Sequence, residues 1–149
     1  MLAGYLVDSS RTFVKEKLVL QSQLNRLAPF GIPVIVALGN HDAWSAYVSG
    51  EHIYTLGSAV ETIEVETRNG ERVAFSGFSY EVPVVATRKV HEYPAKRANC
   101  DIHIGVLHGE LTTAQGRYEP FSIPELREKG YDYWALGHIH TYQAVYSQP

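Results

Sequence analysis

Only one of the 149 residues, Cys100, is a cysteine. No internal disulfide can form, and a reducing cytoplasm is the expected location. Basic residues are also few: 13 Lys and Arg against 16 Asp and Glu leave a net charge of −3. That balance excludes a general nucleic-acid coat and confines phosphate binding to metals or a few arginines. Long apolar runs are missing too. "IPVIVAL" is the longest; it is far too short for a membrane span and reads as a strand. The opening "MLAGYLVDSS" lacks the basic segment and apolar stretch of a signal peptide. No internal repeat or low-complexity segment is visible. What remains, 45% hydrophobic and 19% charged residues, is the composition of a soluble globular chain, long enough for one domain with a useful core.

Along the chain, "LAGYLV" reads as a short buried strand and "DSSRT" offers several N-caps. Phe13, Leu20, Leu24 and Leu27 recur at helical spacing, which predicts an amphipathic helix over "TFVKEKLVLQSQLNRLA". Pro29, Gly31 and Pro33 end it, and "VIVAL" is the next strand. Strand, helix, strand at this spacing is a βαβ unit with parallel pairing. "HIYTL", "VETIEVET" and "ERVAFSGFS" follow as shorter strands, with Asn69-Gly70 as a hairpin turn between the last two. "YEVPVVATRKVHEYPAKRA" reads as loop with a short helix, and "CDIHIGVLHG" as another strand. "SIPELREKG" carries a capping box from Ser122 to Glu125 and a terminal Gly130. "YDYWALGHIH" is a further strand, and "YQAVYS" a final edge segment.

Three of these strands finish in polar clusters: "GNHD", "HGE" and "GHIH". In open α/β folds ligands bind beyond the carboxyl ends of the strands. Each cluster sets His beside Gly, which tolerates sharp turns and close approach. His138 and His140 are two apart, so an extended chain points both to one side. Taken singly, "GNHD" is also a plausible turn, His108 a plausible hydrogen-bonded structural histidine, and "GHIH" merely suggestive. Three such ends at one edge of a sheet favour a metal centre. His52, His91 and His103 lack that context and read as structural or surface residues. An Asn carbonyl with imidazoles suits Mn²⁺, Fe or Zn²⁺ rather than Ca²⁺. Two ions about 3.5–4 Å apart would clamp an in-line phosphoryl displacement. His41 beside Asp42 has the form of a general acid with an orienting carboxylate.

The order "GNHD", "HGE", "GHIH" resembles the calcineurin-like metallophosphoesterase superfamily. The flanking "GIPVIVALGNHD" and "PFSIPELREKGYDYWALGHIH" are most similar to its DNA-repair exonuclease branch, the SbcD and YhaO type. The likeness covers nearly the whole chain. It implies a mixed α/β fold, a β-sandwich flanked by helices and incomplete here, with residues 1–149 forming one partial domain. It implies phosphodiester hydrolysis with two divalent ions, Mn²⁺ or else Fe, Zn²⁺ or Mg²⁺. It also implies DNA or another phosphodiester as substrate and an SbcC-like coiled-coil ATPase as partner. By the same resemblance Asn40, His108 and His138 bind the second metal and His140 the first, while His41 protonates the leaving oxygen and Asp42 supports it.

Two family elements have no counterpart. The Asp-x-His motif for the first metal would precede Gly4, where only Met1, Leu2 and Ala3 stand. The family's Gly-Asp-x-x-Asp reads Gly4-Tyr5-Leu6-Val7-Asp8, so Tyr5 takes the bridging position and Asp8 alone remains. A phenol with an ordinary pKa of about 10 is a poor carboxylate substitute. The expectation is a chain shortened at both ends that holds one ion or none. Two functions stay open: a metal-dependent phosphodiesterase, possessed as a fragment or completed by another molecule, or a degenerate, non-catalytic binding module. A missing strand exposes a sheet edge, which predicts self-association. Arg11, Lys15 and Arg117 could touch phosphate but read as solvated surface charge.

Overall fold

The computed structural model describes residues 1–6, 13–43, 48–142 and 144–145; Asp8 and Arg11 lie outside the described residues. Two sheets organise the chain. In the first, β1 (Leu2–Ala3), β2 (Val34–Ala37) and β3 (Ile53–Thr55) run parallel in the order β1-β2-β3. In the second, β4 (Glu61–Glu66), β5 (Arg72–Gly77), β6 (Ile102–His108) and β9 (Tyr133–Gly137) lie in the order β4-β5-β6-β9. There β4 and β5 are antiparallel and the other pairs parallel. A short parallel pair, β7 (Glu110–Leu111) with β8 (Pro120–Phe121), was not foreseen from the sequence. Two residues per strand are too few to show a period.

Alternation along β2 assigns the layers. Val34 and Val36 pack with Leu24 and the half-buried Leu20 of helix α1 (Phe13–Asn25). Ile35 and Ala37 face the other way and meet Leu56, Val106, Phe75 and Ile104 between the sheets. On the far side of the second sheet Leu107, Phe78, Tyr80 and Trp134 pack beneath Leu126 of helix α2 (Ile123–Glu128) and Val90 of a 3-10 turn. The result is helix, sheet, sheet, helix, the helix-flanked sandwich expected. A side chain such as Val36 or Leu107, both 0% exposed, contributes about 1.5–3 kcal/mol by its burial.

Local signals held. Ser122 and Glu125 form the capping box that starts α2, and Gly130 leaves it with φ +71°. Gly70 turns the β4–β5 hairpin with φ +83° and donates to the Thr67 carbonyl at 2.9 Å. Three expectations need correction. The first strand stops at Ala3 rather than running on through "GYLV", because Gly4 and Tyr5 take φ of +79° and +55°, which no strand contains. The polar strand ends do not share one sheet: β2 belongs to the first sheet, β6 and β9 to the second. Of "YQAVYS", the described Tyr142, Ala144 and Val145 are not in a strand.

The sheets come close at Gly137, where an added Cβ would strike the Ala3 carbonyl oxygen of β1. Backbone cannot rotate away as a side chain can. Gly137→Ala is therefore expected to cost about 1–3 kcal/mol, read as a lower urea midpoint with an unchanged slope.

Candidate metal centre

The ends of β2, β6 and β9 meet across the gap between the sheets, and β1 passes beside them. His108, the last residue of β6, is fully buried. Its Nδ1 lies 2.9 Å from the Ala3 carbonyl oxygen. A carbonyl only accepts, so Nδ1 carries the hydrogen and donates it. Burial pushes the His108 pKa down to about 4, and the neighbouring His138, His41 and His140 push the same way, so the ring is neutral and Nε2 presents a lone pair. Gly4 and Gly39 make room for this ring; a Cβ on Gly39 would stand 2.6 Å from its Cε1.

Nε2 of His108 faces Oδ1 of Asn40 at 2.8 Å. Two acceptors at that separation repel. Either a cation between them or a half-turn of the Asn40 amide relieves the contact. Asn40 is held in place at 9% exposure, just past β2. Asp42, at 0% exposure, closes the same turn by accepting the N–H of Gly39 and of Leu6, each at 2.8 Å. This ties the exit of β2 to the exit of β1. His41, between these two, is exposed.

His138 follows β9 with φ +96°, and its buried Nδ1 has no partner among the described residues. Burial lowers its pKa, with the Glu110 carboxylate pulling upward. Because β9 ends at Gly137, strand alternation is not what aims His138 and His140. Both nonetheless approach one ring, that of Tyr5, with centroids 6.2 and 4.3 Å away. His41 and His108 approach it as well, at 4.8 and 5.1 Å. Every sequence-predicted histidine thus gathers about Tyr5.

The sequence reading missed three contributors. Tyr118 lies 4.9 Å from the His138 ring, and Tyr80 5.5 Å from the His108 ring with its hydroxyl buried and unpartnered. "GFSY", which begins on the last residue of β5, could have flagged Tyr80 as another polar strand end. The Ala3 carbonyl is backbone and leaves no mark in a side-chain pattern. Lys15 and Arg117 are exposed, as surface charges would be.

The donors fit half of a divalent-metal site. His108 is fixed by an outer hydrogen bond to a carbonyl, the usual support of a ligating imidazole. Its Nε2 converges with Asn40 Oδ1, and His138 supplies an orphan nitrogen. Among the described residues, however, no three His, Cys, Asp or Glu side chains stand in metal-binding arrangement. Nor do the described residues contain a helix long and apolar enough to cross a membrane.

Residues 1–142 match the family model described as calcineurin-like phosphoesterase. The chain is also similar to the "Uncharacterized metallophosphoesterase YhaO" of Bacillus subtilis (strain 168), 36% identical over 152 aligned positions. These cover 97% of this chain but 37% of that relative, so the chain spans little more than a third of its length. The family's chemistry is phosphoester hydrolysis with divalent metals. With the match extending from β1 past the last histidine of the cluster, this chain belongs to the calcineurin-like phosphoesterase family.

Proposed function

We propose that this chain carries one half of a metal-dependent phosphodiesterase site of the DNA-repair exonuclease kind. Asn40, His108 and His138 hold one divalent ion, Mn²⁺ being the first candidate, and His140 serves the second position. The observation that carries this reading is the His108 imidazole, whose tautomer is set by the Ala3 carbonyl so that Nε2 turns a lone pair toward the Asn40 side chain 2.8 Å away. A bound divalent ion supplies Lewis-acid stabilisation of charge on the phosphoryl oxygens. The protein's own part is positional. The Ala3 carbonyl fixes the His108 tautomer, and Asp42 fixes the turn that carries His41. His41, exposed beside the cluster, donates a proton to the departing oxygen.

Metal content after equilibration with Mn²⁺, together with hydrolysis of bis(p-nitrophenyl) phosphate and single-stranded DNA, tests this. His108→Ala is expected to weaken metal retention by at least the roughly 10–100-fold that loss of an outer-shell partner costs. His41→Ala is expected to keep the metal and lose about 10²–10⁴ in turnover. Turnover that survives His41→Ala would overturn the assignment.

A second reading, a degenerate binding module, is favoured by Tyr5 in the midst of the histidines. It expects no metal-dependent turnover, and no gain from Tyr5→Asp alone; a large rescue by that change would count against it. In either reading the proposal extends to DNA or another phosphodiester as ligand, to an SbcC-like ATPase as partner, and to self-association. A single monomeric species across concentrations in sedimentation would remove the last of these.

A further inference from the structure

The four histidines are arranged around a phenol rather than around a point. Among the described residues, only His108 and His138 of the four are in ring contact with each other, at 5.2 Å. All four contact Tyr5, with centroids between 4.3 and 6.2 Å away. Imidazoles sharing an ion must bring their nitrogens to within about 2.0–2.1 Å of one centre. The Tyr5 ring touches His108, His138 and His140 at once and so competes for the space in which their nitrogens would meet an ion. The backbone of Tyr5 is itself unfavourable, since a tyrosine at φ +55° occupies a left-handed region that suits glycine. The chain around it explains why that conformation persists: Gly4 on one side turns sharply, and the Leu6 N–H on the other is pinned by Asp42.

We propose that Tyr5 is a plug, an autoinhibitory side chain whose ring stands among the histidines and must swing out before Asn40, His108 and His138 can close on a divalent cation with His140 at the second position. This rests on the reading of that cluster as a metal site. The plugged arrangement also accounts for the finding that no three described ligand side chains stand in metal-binding arrangement although four histidines are close together. A site open only a tenth of the time binds with a dissociation constant about tenfold weaker than the open site.

Zn²⁺ affinity measured by competition with a chromogenic chelator tests the plug in the full chain. Tyr5→Gly, which suits the positive φ and removes the ring, is expected to bind Zn²⁺ about tenfold or more tightly than the native chain. Tyr5→Phe, which keeps the ring, is expected to stay within about twofold of native. His108→Ala placed on Tyr5→Gly is expected to remove the gain. If Tyr5→Gly binds no more tightly than native while His108→Ala still weakens binding, the plug is wrong and the metal site stands. If His108→Ala changes nothing in either background, the metal site falls and the plug with it. Should Tyr5→Gly fail to fold, the native chain decides: nuclear Overhauser contacts between Tyr5 and His140 are expected to vanish on Zn²⁺ loading. Their persistence in the loaded protein overturns the proposal.

Discussion

Asp42→Ala is expected to lower the unfolding free energy by about 3–5 kcal/mol, the largest loss of any single change in the cluster. The carboxylate is 0% exposed and accepts two backbone N–H groups, from Gly39 and Leu6. Hydrogen bonds to a charged group contribute about 1.5–3 kcal/mol each, and alanine leaves the buried Gly39 donor and the part-buried Leu6 donor unsatisfied. The Leu6 bond also joins segments 36 residues apart, so its loss frees the exit of β1 from the exit of β2. Asp42→Asn keeps one acceptor oxygen and is expected to cost about half as much. Urea unfolding of the three chains measures this; an Asp42→Ala midpoint equal to the native one would mean that the clamp carries no energy. The result also governs how activity is read. Loss of hydrolysis in Asp42→Ala bears on proton donation by His41 only after the unfolded fraction has been subtracted.

Sequence gave access to whatever is decided within a few residues. The alternation of Val34, Ile35, Val36 and Ala37 is a local fact, and it assigns two faces of β2 to two layers. The Ser122–Glu125 capping box and the Gly70 turn are local as well. The polar strand ends were visible because Gly next to His is conspicuous after an apolar run. What lay beyond the sequence is relational. Whether β2 shares a sheet with β6 depends on pairing partners, and β2 turned out to pair with β1 and β3. His138 and His140 do approach a common centre, but by a φ of +96° after the strand rather than by the strand's alternation. Tyr5 could be read as a departure from the Gly-Asp-x-x-Asp pattern; that its ring stands among four histidines is decided by how the ends of β1, β2, β6 and β9 come together. The carbonyl that sets the His108 tautomer comes from Ala3, 105 residues away, and belongs to no motif.

Glu119 carries the other large effect, one of pH. Its side chain is 0% exposed and its φ is +42°. It accepts the backbone N–H of Lys89 at 2.8 Å and of Val90 at 2.7 Å, which anchors the 3-10 turn Lys89–Glu92 to the segment that enters β8. Burial raises its pKa to about 7, against the downward pull of those two N–H groups. The folded chain therefore holds this proton more tightly than the unfolded chain, whose carboxyl titrates near its ordinary 4.5. Stability from this group is fully present below pH 4.5, falls as pH rises, and levels off above about pH 7. A rise from 4.5 to about 7 corresponds to a loss on the order of 3 kcal/mol across that window. The buried His108 works in the opposite sense, its contribution falling as pH drops from 6.5 to about 4, so the native profile alone would blur the two. Glu119→Gln separates them, because the titration of His108 is common to both chains and cancels in the difference. Native minus Glu119→Gln stability is expected to decline by about 3 kcal/mol between pH 4.5 and 7 and to be flat on either side. A difference that is flat throughout would show that the N–H groups of Lys89 and Val90 outweigh burial, leaving Glu119 as an ordinary ionised anchor of that turn.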